Sequence, residues 1–255
     1  MPAALADEAT FLRAFIAEER VQTNEVQRSW VLAPLFLQVA QRTGAAELDL
    51  VELGPSAGLN LVWDRYRCVY RRGARGPEDA ALVLLGEERS VVPAELLEAD
   101  ARVGRRLGID RSPVDLTTDE GARLLTSFVW ADQAERIERL GTAIAELRRD
   151  PPELVRADFL DVLPEVLGGR RPEALTVVFQ TAVLGYVGDE GRKRVRAALE
   201  AGGEAGPLAF VSTGRPRSGD DSWGLRITYW PGGGRDFLGH ADYHGAWLDW
   251  EPATS

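Results

Sequence analysis

Between an apolar run and a helix-like stretch stands Gly54-Pro55-Ser56-Ala57-Gly58, with Glu52 just before it. A tight glycine turn between a buried strand and a helix is a binding position in doubly wound folds, because backbone N–H groups there face an open crevice. The dinucleotide fingerprint would need glycines at 54, 56 and 59, where the chain has Gly54, Ser56 and Leu59. The nucleophile elbow G-x-S-x-G is matched in full and would make Ser56 a nucleophile with His240 or His244 as its base. Its context argues against it, since several strands and an oxyanion loop precede such an elbow and the residues before this strand read as helix. Other chemistry-bearing groups are Asp110, Asp158 and Gln180, each closing an apolar run. A polar concentration at Asn24, Glu25 and Arg28 would line the cleft if the N-terminal helices cover the strand ends. The plain alternative is a capped helix junction with a surface Glu25–Arg28 pair. His240, Asp242 and His244 alternate, which on a strand gives one face compatible with a metal. A turn bonded to backbone explains them better, and no metal is expected.

These groups need elements to hold them. Residues 8–43 read as helix, with a break near Thr23 where Asn24 and Gln27 resemble a capping box, a kink or division at Pro34, and a stop at Gly44. Leu48 to Leu53 is a strand buried on both faces. A helix-like stretch runs from Leu59 to Tyr66. Cys68 to Tyr70 and Leu82 to Leu85 suggest a hairpin insertion at about residues 67–100. Further strands are expected at Val103 to Ile109, Leu154 to Ala157, Leu175 to Phe179 and Leu208 to Ser212, with helices opening at Thr117, Asp132 and Asp189. Leu225 to Trp230 and Ala246 to Trp250 form a closing antiparallel pair. The expected fold is α/β: a Rossmann-like, mostly parallel sheet with helices on both faces, an N-terminal helical cover over 1–45 and the sheet domain over 46–255.

On that fold, the series acid, apolar, Gly, any, small, any, Gly, seen as Glu52 to Gly58, matches the first motif of class I methyltransferases. S-adenosylmethionine carries no phosphate, so Gly54, Ser56 and Gly58 would serve close backbone approach. Asp110 is the candidate for the ribose hydroxyls and Asp158 for the adenine amine, with Glu52 and Gln180 completing the cofactor set. The plain alternative for Asp110 and Asp158 is helix N-capping. About thirty inserted residues must separate the first motif from the ribose acid, relative to related folds. Candidate bases are His244, Tyr186 and Glu25, and candidate substrate contacts are Asn24 and Arg28. The competing functions are a non-catalytic binding or scaffolding module on the same fold and a serine hydrolase.

Longer motifs point the same way. Arg20 to Arg28, Val51 to Leu61 with Asp64-Arg65-Tyr66, Gly108-Ile109-Asp110, Val129 to Gln133 with Arg136, Val177 to Tyr186 and His244 to Trp250 together resemble an uncharacterised prokaryotic family, domain of unknown function 2332. The resemblance runs from about residue 11 to 250. It implies a methyltransferase-like core but no established activity. Members tend to carry His where this chain has Gln180, so a base at that place is not expected to operate. Composition sets the partners: 30 Lys+Arg against 40 Asp+Glu give a net charge of −10, which disfavours nucleic acid. Cys68 is the single cysteine, and no apolar run approaches the roughly 18 residues of a membrane span. A cytoplasmic protein acting on a small molecule, away from membranes, is the expectation.

Overall fold

The computed structural model describes residues 24–214 and 222–251, with the isolated positions Ala9 and Arg13. Helix α1 spans Arg28–Thr43 and ends on Gly44 in the left-handed conformation. Most of the expected helix before it lies outside the described residues. Strand β1 (Glu47–Leu53) leads through the glycine turn into a 3-10 helix, Leu59–Arg65, over the stretch that reads as helix-like. Three short strands follow, β2 (Arg67–Tyr70), β3 (Gly73–Arg75) and β4 (Val83–Leu85), then β5 (Glu87–Ser90) and α2 (Ala94–Leu97). The rest alternates: β6 (Arg102–Asp110), α3 (Asp119–Ser127), α4 (Ala134–Leu147), β7 (Glu153–Arg156), α5 (Phe159–Gly168), β8 (Leu175–Gln180), α6 (Asp189–Ala205) and β9 (Leu208–Gly214). Strands β10 (Trp223–Trp230), β11 (Gly234–Ala241) and β12 (Trp247–Trp250) close the chain.

Nine of the described strands form one sheet in the order β7-β6-β1-β8-β9-β10-β11-β12-β5. From β7 to β9 all neighbours are parallel, and β9 to β12 form an antiparallel meander. The chain builds outward from β1 through β6 to β7, then returns to place β8 on the other side of β1. The glycine turn therefore sits where the strand order reverses, the point at which open α/β sheets leave a crevice at their carboxyl ends. Three sequence expectations are corrected. The closing pair is not a pair, because β11 lies between β10 and β12. The expected hairpin is a three-stranded sheet in which β2 pairs antiparallel with β3 and parallel with β4, and β5 leaves it to join β12. Helix α3 is capped by Thr118, whose Oγ1 accepts from Gly121 N, rather than by Thr117.

Both faces of the sheet are covered. Leu48 and Leu50 of β1 with Val177 and Phe179 of β8 share a core with α1 and α4, while Val51, Leu53 and Val178 pack with α5 and α6. Helix α1 is undivided although Pro34 lies within it. Proline removes the donor that would have bonded the carbonyl four residues back, and Tyr70 Oη supplies one instead, donating to Trp30 O at 2.6 Å. Pro164 in α5 is handled alike: Arg194 Nη2 donates to Leu160 O at 3.0 Å. The first of these bonds ties the small sheet to α1, the helix that leads out of the site.

Candidate active site

Glu52, Asp110 and Asp158 stand at or just beyond the carboxyl ends of the neighbouring strands β1, β6 and β7. Glu52 lies opposite Gly108 on one side and Phe179 on the other. The turn after β1 is held by backbone: Gly54 N donates to Ile109 O at 2.9 Å and Gly58 N to Pro55 O at 3.0 Å. Gly54, Ser56 and Gly58 all have positive φ, of 67, 57 and 79°. Asp110 anchors Ser56, Oδ2 accepting from its N–H at 3.0 Å, while Oδ1 accepts from Ser112 N at 2.8 Å. A carboxylate has about four acceptor sites, so two remain. The cover over Gly54 is protein: a Cβ there would meet Val183 Cγ2 at 2.6 Å, on the 3-10 helix Val183–Gly185.

Two of the expected cofactor residues are engaged by the fold. Asp158 Oδ1 caps α5 through Leu160 N, and Oδ2 takes Arg111. Burial opposes ionisation there, but these bonds hold its pKa below the usual carboxylate range. Gln180 is buried, with Nε2 on Thr213 O at 2.6 Å and Oε1 accepting from Leu184 N at 3.4 Å. Tyr186 stands on the surface, 82% exposed, just after the 3-10 helix.

The N-terminal polar group packs against the glycine turn and the strand ends. Asn24 does not cap α1: its Oδ1 accepts from Leu59 N at 3.2 Å, pinning the segment to the glycine turn. Glu25 is buried, with Oε2 on Arg136 Nε at 2.6 Å and Oε1 at 3.4 Å from Arg139 Nη1. Both oxygens are ion-paired, so Glu25 holds the two arginines in place. Arg28 crosses the rim, with Nη1 donating to Thr181 Oγ1 beyond β8 and Nε to Tyr243 O. Beside it lies Glu52, 1% exposed, whose carboxyl is pushed up to about 8 by burial and by Asp110, against the pull of Asn60 and Arg28. Arg28 Nη2, Glu52 Oε2 and Asn60 Nδ2 are all buried with no hydrogen-bond partner among the described residues. Buried polar atoms are almost always satisfied, so three orphans at one switch point suit a polar ligand.

The sequence matches a known family. The family model described as "Uncharacterized protein conserved in bacteria (DUF2332)" matches residues 1–250. The chain belongs to that family. No curated protein matches it. For this DUF2332 member the chemistry is therefore argued from the site alone.

Asp242 closes the last turn, Oδ2 accepting from His244 N at 2.7 Å and Ala246 N at 3.1 Å. His240 is instead placed against Phe237 and 3.9 Å from Glu251. Among the described residues no group of three ligating side chains is set to hold a metal. His244 faces Arg28, Arg136 and Glu25, and burial followed by the two arginines lowers its pKa. Residues not singled out as site groups in the sequence complete the cleft: Asn60, Thr181, Trp223, Tyr243 and Arg139. Asn60, two residues past the turn, was the readable one, since a lone amide in Leu59-Asn60-Leu61 invites a reason. A separate surface cavity of about 520 Å³, lined by Asp64, Arg65, Asp79, Arg106 and Asp150, holds charges already paired, Arg106 with Asp64 and Arg65 with Asp150.

Proposed function

We propose that this protein binds S-adenosylmethionine at the switch point and transfers its methyl group to a small molecule. The observation that carries the proposal is the buried polar cluster at the switch point, in which Asn60 lies close enough to Glu52 to favour its ionised form, yet neither Glu52 Oε2 nor Asn60 Nδ2 makes a hydrogen bond of normal geometry. One is an acceptor and the other a donor, which is what an ammonium and a carboxylate on one carbon require. Glu52 would take the ammonium, Asn60 Nδ2 the carboxylate, and the two unused acceptor sites of Asp110 the ribose hydroxyls. Asp158 and Gln180 are left out of this contact set because the fold uses them. The cofactor, when bound, supplies a methyl carbon already activated by a sulfonium. The protein's part is chiefly to hold acceptor and methyl in line, and positioning of this kind supplies much of a displacement's acceleration. Where the acceptor must lose a proton, His244 is the candidate to take it, since burial and the neighbouring Arg28 and Arg136 disfavour its charged form.

Melting in the presence of ligand tests this. At about 100 times its dissociation constant a ligand that binds only the native state stabilises by about 2.7 kcal/mol. For a chain of this size about 2 to 4 °C accompanies each kcal/mol, so S-adenosylmethionine or its demethylated product should raise Tm by about 5 °C or more. NAD and ATP should do far less. Asp110→Asn, measured against its own ligand-free Tm, should cut the shift, since a hydrogen bond to a charged group contributes about 1.5 to 3 kcal/mol. No shift with either ligand at millimolar concentration would replace the enzyme with a binding or scaffolding module. Stoichiometric labelling of Ser56 by a fluorophosphonate would replace it with a hydrolase.

A further inference from the structure

The contacts assigned to the cofactor leave Arg28 unused. It is a built group: 4% exposed, Nε donating to Tyr243 O at 3.1 Å and Nη1 to Thr181 Oγ1 at 3.4 Å. Its Cζ lies 4.9 Å from the Trp223 ring centroid and 4.7 Å from that of Tyr243, so two aromatic rings fix the guanidinium. Nη2 makes no hydrogen bond of normal geometry among the described residues, although the Tyr243 side chain lies close enough to favour the charged guanidinium. A buried donor left unmade is costly, and a guanidinium donor is met best by a carboxylate oxygen. The surrounding charge has the matching sign. Arg28, Arg136 and Arg139 gather about Glu25, with Asp242 beside them at His244, and burial pushes the carboxyl of Glu52 up to about 8. Three arginines thus stand against two carboxylates here, Glu25 and Asp242, in a chain of net charge −10.

We infer that the methyl acceptor is a small aromatic carboxylate, its anion on Arg28 Nη2 and its ring against Trp223 and Tyr243. This rests on the methyltransferase proposal above. The test is a calorimetric titration of the full chain with benzoate, in the presence of saturating demethylated cofactor, and with benzamide as the uncharged control. Benzoate should bind at least about tenfold more tightly than benzamide, the difference that one charge-assisted hydrogen bond makes. Arg28→Gln should lose benzoate by about tenfold or more while keeping the demethylated cofactor. Should that buried variant not fold, Arg136→Gln serves in its place, at a side chain 22% exposed, and should weaken benzoate about threefold or more by removing nearby positive charge. Equal binding of benzoate and benzamide overturns the inference and leaves the methyltransferase proposal standing. Parallel loss of benzoate and cofactor in Arg28→Gln also overturns it, giving Arg28 to the cofactor's carboxylate. Benzoate binding without any cofactor binding removes the acceptor role, and the failure then lies with the methyltransferase proposal.

Discussion

At the scale of single residues, Glu52 is the group whose ionisation matters most. Its carboxyl has a usual value of 4.5 and stands at about 8 in the folded chain, through burial. Between those values the folded chain keeps a proton that the unfolded chain has released. Stability from this group is therefore full below 4.5 and is lost progressively as pH rises through 8. Glu52→Gln, which mimics the protonated form and does not titrate, should gain on the wild type across that window by up to about 1.4 kcal/mol per pH unit. Urea unfolding at pH 5, 6, 7 and 8 reads this directly, and parallel curves for the two proteins would contradict it. The same carboxyl links ligand to proton. An ammonium beside Glu52 restores its charge, so binding of the demethylated cofactor at pH 7 should release about one proton. Titrations in buffers of different ionisation enthalpy should show that release, and it should vanish in Glu52→Gln.

At the scale of elements, the turn and the 3-10 helix over it form one packed unit. Gly54 has φ of 67° and Val183 lies against the position of a Cβ. Alanine there should cost about 1 to 2 kcal/mol for the left-handed backbone and about 1 to 3 more for overpacking. In a Val183→Gly background only the backbone part should remain, so the two substitutions should couple by about 1 kcal/mol or more. Additive effects in denaturant would mean that Val183 does not cover the turn in solution. This packing could not be read from Gly-Pro-Ser-Ala-Gly, which is equally the turn of an open cleft. The strands were readable where burial dictates residue type: β1 and β8 are covered on both faces, and Leu-Asp-Leu-Val-Glu-Leu and Leu-Thr-Val-Val-Phe show it. Strand β5 is hidden because Glu87-Glu88-Arg89-Ser90 is an edge, where charge is tolerated. Strand β11 is hidden because Gly234, Gly239 and two charged residues interrupt its alternation, and α5 because Pro164 lies inside it. In the site, Asn24, Glu25 and Arg28 were legible as a polar concentration, which the sequence left open between a cleft lining and a capped helix junction. Thr181, Trp223 and Tyr243 were not, since only the meander's path brings them to Arg28.

At the scale of the whole molecule, the cleft is closed by segments from opposite ends of the described chain. Gln27 Nε2 donates to Leu85 O at 2.8 Å and to Gly245 O at 3.4 Å, so the segment before α1, the small sheet and the last turn meet at one residue. Strand β12, which follows that turn, pairs with β5, which follows the small sheet. Contacts this distant in sequence form only when the full sheet has assembled, so the site is a late product of folding and is sensitive to how the ends fit. Gly245 is the point of closest fit, with φ of 86° and a Cβ position 2.6 Å from Gln27 O. Alanine there meets backbone rather than a movable side chain, so the two segments must separate. Gly245→Ala should lower Tm by about 5 °C or more, from left-handed strain plus a steric term of about 1 to 3 kcal/mol. It should also weaken benzoate more than the demethylated cofactor, because Arg28 is held by Tyr243 beside this turn while Asn60 and Asp110 are held by Ser29 and the glycine turn. Calorimetry of the variant with each ligand separates the two sites. Equal loss of both ligands would show that the clasp supports the whole rim rather than the arginine pocket, and an unchanged Tm would show that the two ends do not meet as described.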